Sequence, residues 1–218
     1  MKKLLQGVVN FHENVLPGMR AEFARLAHGQ SPDVLMIACS DSRVVPNLFA
    51  STDPGDLFVV RNPGNLVPPV DATPHGSSEA AAIAIALDVL QVTDVIVCGH
   101  SGCAGMSALL ASEPPPLAVR QWMAHGVSTT APSPHALLCD DALSPPDQLS
   151  QHNVLYQLAH VATYPRVCAR VADGALRLHG WWFDVATGNV FAFEPAQQRF
   201  VIIDAAQGQR MLERLGMG

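Results

Sequence analysis

The sequence has no run of lysine or arginine, no apolar stretch of membrane-spanning length and no even set of cysteines. Its charges, 13 basic against 19 acidic, sum to −6 over 218 residues. Nucleic acid and anionic membrane surfaces are therefore excluded as expected partners. The apolar stretch 80–90 is too short to cross a bilayer. The first ten residues carry two lysines and a few apolar side chains, like a leader. Asn10, His12 and Glu13 interrupt them before an apolar segment forms. Five cysteines do not make a disulfide framework in a chain of this size. A reducing, cytoplasmic setting is expected, with the cysteines as free thiols or metal ligands. Cys98, Cys139 and Cys168 have no clustered partner and read as buried, inert thiols. No internal repeat or second-domain boundary is visible, so 1–218 reads as a single domain with a helical arm over about 1–30.

Nearly half the residues are apolar, enough for a sizeable core. Residues 11–27 have helical character. The unbroken apolar run 34–38 reads as a strand buried on both faces of a parallel sheet, with Cys39 at its carboxyl end. Residues 57–60 read as a second buried strand, 77–90 as a helix packed on the sheet, and 95–98 as a third strand ending at Gly99-His100. Helices are expected at 104–111, 117–124, 148–162 and from Pro165 to Asp173-Gly174, with a long surface connection over 126–146. Strand 176–185, the turn Thr187-Gly188-Asn189 and 190–193 form a hairpin, and 200–203 adds a strand. The fold class is α/β: a parallel-core sheet flanked by helices, with a C-terminal antiparallel edge hairpin.

Two short clusters carry chemistry: Cys39-Ser40-Asp41-Ser42-Arg43 and Gly99-His100-Ser101-Gly102-Cys103. Both fall just beyond predicted strand ends, where open α/β sheets place their sites. Cys39, His100 and Cys103 offer zinc two thiolates and an imidazole, with a fourth position free for water, as in catalytic rather than structural sites. The metal lowers the pKa of that water and makes a hydroxide nucleophile available. Two thiolates weaken the metal as an acid, so Asp41, held ionised by Arg43, is expected to orient the nucleophile. Other readings stand beside this one. A closed structural site lacks a fourth Cys or His, because Cys98 is expected to face another side of its strand. Gly99–Cys103 misses the G-x-S-x-G nucleophile elbow by its last residue. The glycine spacing does not fit a dinucleotide fingerprint. A cysteine nucleophile with His100 as base is a further possibility.

These clusters together resemble the signature of β-class carbonic anhydrases. Gly55-Asp56-Leu57-Phe58-Val59-Val60-Arg61-Asn62, Asn65-Leu66-Val67-Pro68-Pro69, Asn153-Val154-Leu155 and Leu178-His179-Gly180-Trp181-Trp182 extend the likeness over nearly the whole chain, most weakly in 112–150. The resemblance implies reversible hydration of carbon dioxide to bicarbonate and a proton. It implies one zinc ion per subunit on Cys39, His100 and Cys103, with Asp41 and Arg43 as the catalytic pair. In some members the aspartate becomes the fourth ligand and closes the site, and Asp41 is placed to do so. Gln30 and Phe58 match pocket residues of the plant-like, open-site group. In that group the pocket is completed by a neighbouring subunit, so a homodimer or higher even oligomer is implied. Gly102 belongs to the same pocket. Pro63 stands where the family often has a small aliphatic residue, and Ile85 where it has a pocket tyrosine. The tyrosine's loss leaves the proton route open, with His75 among the histidines able to serve it. Two other functions keep the same motifs: a zinc hydrolase of another small linear molecule such as CS₂, and a non-catalytic zinc or redox-sensing protein.

Overall fold

The computed structural model describes residues 1–72, 76–126 and 137–216. Helix α1 (Lys2–Asn10) runs through a π-helical turn at Phe11–Val15 into α2 (Leu16–Leu26), so the leader-like segment is the start of a helical arm. No residue of this arm is buried within the chain. Strand β1 (Val34–Cys39) follows, then the single turn α3 (Pro46–Phe49) and β2 (Leu57–Asn62). Helix α4 (Ser78–Ala84) starts at Ser77, whose hydroxyl accepts from the Ala80 N–H, a standard N-cap. Its last turns widen into a π-helix at Ile85–Val89. Then come β3 (Asp94–His100), α5 (Ala104–Leu110) and α6 (Leu117–Met123). The second half holds α7 (Pro145–Val161), α8 (Pro165–Ala172), β4 (Arg177–Phe183), β5 (Val190–Glu194), β6 (Arg199–Ile202) and α9 (Ala205–Arg214). The expected connection over 126–146 lies partly outside the described residues, and its end belongs to α7.

The sheet order is β2-β1-β3-β4-β5-β6. The first four strands are parallel, and β5 and β6 pair antiparallel at one edge. Side chains alternate between the two faces, as the strand period requires. Leu35, Ile37, Val95 and Val97 meet Val154, Leu155 and Leu158 of α7 and Ile83 of α4 on one face. Met36, Ala38, Ile96 and Cys98 form the other core with Val44 and Phe183. Strand β1, in the middle, is buried as its apolar run predicts. Strand β2 is only half-buried over Leu57–Val60 because it is the edge strand, a correction to its reading as a buried strand. Gly99 lets α7 lie close on the sheet: a Cβ there would sit 2.7 Å from Val154 Cγ2 and 3.1 Å from Ser150 Oγ.

Candidate metal centre

Register brings the two motifs together. Ala38 pairs with Cys98, so Cys39 and the Gly99-His100 step leave the sheet side by side. Cys103 follows within one turn as the residue preceding α5. Cys39 Sγ, Cys103 Sγ and a His100 ring nitrogen all lie within 4.8 Å of one another, and all three residues are buried. Among the described residues no other group of three or more His, Cys, Asp or Glu side chains converges this way.

His100 Nδ1 lies 2.9 Å from the Ser101 carbonyl, so that nitrogen carries the proton and Nε2 presents a lone pair. Nε2 is buried and has no hydrogen-bond partner. A buried, unpaired imidazole nitrogen facing two sulfurs is costly unless a cation fills the gap. The donor set therefore fits zinc in chemistry and in tautomer. The sulfurs interact as a pair: the neighbouring Cys103 thiol lowers the pKa of Cys39 against the opposing effect of burial. The Gly64 N–H adds to that lowering. The same pairing, with burial, pushes Cys103 upward.

Asp41 lies two residues beyond Cys39. Its Oδ1 accepts from Arg43 Nε at 2.9 Å and its Oδ2 from Arg43 Nη2 at 2.7 Å, a bidentate pair. The Arg43 backbone N–H adds a bond to Oδ1 at 3.0 Å. Arg43's guanidinium holds the carboxyl well below the usual carboxylate range. Arg43 Nη2 also donates to Gly102 O at 3.0 Å, tying the first motif to the second. Arg61 on β2 grips the backbone beneath them, donating to Cys39 O at 3.0 Å and Asp41 O at 2.7 Å.

The remaining supports come from further along the chain. Four side chains on one face of α7 bond successive points of the site: Asp147 accepts from Gly102 N, Ser150 donates to His100 O, Asn153 donates to Gly64 O, and Gln157 accepts from Val67 N. Their three- and four-residue spacing is that of a helix face. The turn after β2 carries Gly64 at φ +79° and Asn65 at φ +47°, and the first of these needs glycine. Asn62 brackets it, accepting from Leu66 N at 2.7 Å and donating to Leu66 O at 2.8 Å. Buried Glu79 accepts from the Asn62 amide at 3.0 Å.

The structure thus brings together Cys39, Asp41, Arg43, His100, Gly102 and Cys103, as the motifs predict. Pro63 joins through its carbonyl, which accepts from Trp122 Nε1. Phe58 instead packs half-buried against the first core, and Gln30 and Ile85 lie exposed. His75 lies outside the described residues. Cys98 is buried in the second core, as expected. Cys139 is half-buried with its sulfur 3.2 Å from His152 Nε2, and Cys168 is exposed, so neither is the buried, unpartnered thiol expected of it. Sequence reasoning missed Trp122, Asp147, Ser150 and Gln157. The polar residues recurring along the buried face of α7 were the available signal.

A buried Cys–His–Cys set at the ends of parallel strands, flanked by an ion-paired aspartate, defines a zinc enzyme of the water-activating class. Residues 34–190 match the carbonic anhydrase family. The chain belongs to the β-class carbonic anhydrases, zinc enzymes of reversible carbon dioxide hydration. It is 40% identical over 206 residues to a carbonic anhydrase of Pseudomonas aeruginosa, covering 92% of this chain and 91% of that one. It is similar in structure to the β-carbonic anhydrase CcaA, with a TM-score of 0.79 and 34% identity over 94% of this chain and 92% of that one. One of two tetrameric β-carbonic anhydrases from Sordaria macrospora gives a TM-score of 0.67 at 25% identity, over 88% of this chain and 92% of that one.

Proposed function

We propose that Cys39, His100 and Cys103 hold the catalytic zinc of this carbonic anhydrase and that Asp41 and Arg43 work beside it in an open site. When bound, zinc supplies a Lewis acid that makes water nucleophilic near neutral pH. The chain's own residues do the rest. His100 is fixed in its ligating tautomer by Ser101 O. Leu66, Met106 and Met123 pack around the two sulfurs and limit water there. Asp41 accepts a hydrogen bond from the attacking water and orients it, and Arg43, bonded to both carboxylate oxygens, keeps that carboxylate ionised. Pro63 and Gly102 border the carbon dioxide pocket within the chain, and Gln30, Phe58 and Ile85, which stand apart from the metal centre in a single chain, join it across the interface with a second subunit. The unpartnered Nε2 of His100 among two sulfurs carries this reading.

The same reading makes the chain one catalytic unit with an N-terminal arm, assembled as a homodimer or larger even oligomer. Leu4, Leu5, Val8 and Val9 on the arm are exposed in a single chain, which supports their burial against another copy. The free thiols Cys39, Cys98, Cys103, Cys139 and Cys168 suit a reducing cytoplasm. No described helix is long and apolar enough to cross a membrane.

Stopped-flow carbon dioxide hydration by the zinc-loaded protein, with zinc content measured alongside, tests the site. Cys39→Ser is expected to lose both metal and turnover. A wild type no faster than this variant, or a variant that keeps full zinc and rate, sinks the assignment.

A further inference from the structure

One peptide group links α6 to the metal centre. The Gly64 N–H donates to Cys39 Sγ at 3.3 Å, and the carbonyl of the same planar peptide unit, Pro63 O, accepts from Trp122 Nε1 at 2.7 Å. The two bonds are therefore opposite ends of one dipole. A donor at the carbonyl end polarises the amide and strengthens its N–H as a donor. The flanks of this peptide are fixed independently: Asn153 Nδ2 holds Gly64 O at 3.0 Å, and Asn62 brackets Leu66. Trp122 packs with Leu109 and Tyr156 against the cluster containing both sulfurs, and its ring meets His125 edge-on at 5.7 Å.

We infer that Trp122 is a positioning residue: its indole N–H aims and polarises the Pro63–Gly64 peptide so that the Gly64 N–H draws charge from the Cys39 sulfur. This rests on the proposed role of Cys39 as a zinc ligand. Two thiolates donate more charge than a Lewis acid facing water needs. A hydrogen bond to one of them reduces that donation and leaves the metal more acidic. The indole carries no charge and stands two bonds removed from the sulfur, so its effect is on the metal's electronic character rather than on ligand count.

Cobalt(II)-substituted enzyme reads this directly, because thiolate-to-cobalt charge-transfer absorption reports sulfur donation. In Trp122→Phe, which keeps an aromatic ring and removes the donor, that band is expected to move to longer wavelength. The pH midpoint of activity is expected to rise, and the zinc enzyme's rate at neutral pH to fall roughly tenfold at unchanged metal content. Leu109→Ala, which loosens the same cluster without touching the peptide, is expected to leave band and midpoint in place. Without any variant, the Gly64 amide proton of cadmium-substituted protein is expected to show scalar coupling to the metal nucleus through the sulfur. An unmoved band and midpoint in Trp122→Phe, or no coupling at Gly64, overturns the inference while Cys39 remains a ligand. No thiolate-to-metal band in the wild type overturns the ligand assignment and this inference together.

Discussion

Asp41 receives three hydrogen bonds from Arg43, one from its backbone and two from its guanidinium. A carboxylate held that way keeps its charge and its direction, and both are lost if the guanidinium is removed. Arg43→Ala is expected to lower carbon dioxide hydration about 10–100-fold while zinc content stays at wild-type level. Steady-state rates and metal analysis on the same preparation check it; an unimpaired rate would show that Asp41 needs no restraint. The residues that offer reactive atoms were readable because each motif is compact and its chemistry is carried by side-chain type. The residues that hold those atoms in place were not. Trp122, Asp147 and Ser150 act on backbone groups 59, 45 and 50 positions away, a relation that side-chain identity does not encode. Gly64 is a similar case: its need for glycine comes from a turn conformation visible only once Asn62 and Leu66 close on each other.

At the scale of elements, β3 and β4 are joined at their amino ends by Asp94, which accepts from Arg177 at 2.7 and 2.6 Å and lies 2.8 Å from His179 Nε2. Burial raises the Asp94 pKa, but the bonds from Arg177, His179 and Thr93 outweigh it and leave the carboxyl below its usual value. A carboxylate depressed in the folded state stabilises fully above its unfolded pKa of about 3.9. That contribution is lost as pH falls through the folded value. Asp94→Asn is expected to cost about 1–2 kcal/mol near neutral pH and to flatten the fall in melting temperature below about pH 4. A melting curve series across acid pH decides it, and parallel wild-type and variant profiles would count against it. Most elements were legible from apolar runs and turn residues, including the antiparallel edge. α1 was not, because its apolar face has nothing to pack against in one chain and so resembles a leader. α9 escaped because its residues are mostly polar, with Gln207 alone buried. β2 was read as fully buried because apolar content does not distinguish a central strand from an edge.

For the whole molecule, the arm is the part whose structure a single chain does not explain. No residue of α1 or α2 is fully buried in its own subunit, yet Leu4, Leu5, Val8 and Val9 are apolar. Leu5→Glu with Val8→Glu is expected to shift the assembly toward monomer, and to lower activity with it if a second subunit completes the pocket. Sedimentation at several concentrations measures the first and hydration kinetics the second; an unchanged oligomer would remove the arm from the interface. The α7 contacts carry a different consequence, one of timing. All three proposed ligands have been synthesised by residue 103, but the side chains that secure Gly102, His100, Gly64 and Val67 come from a helix that begins at Pro145. A nascent chain therefore exposes its two thiols and imidazole well before it can fix them. Metal capture is therefore expected late in biogenesis, coupled to docking of α7, and a chain interrupted before α7 is expected to leave its sulfurs without a shaped site.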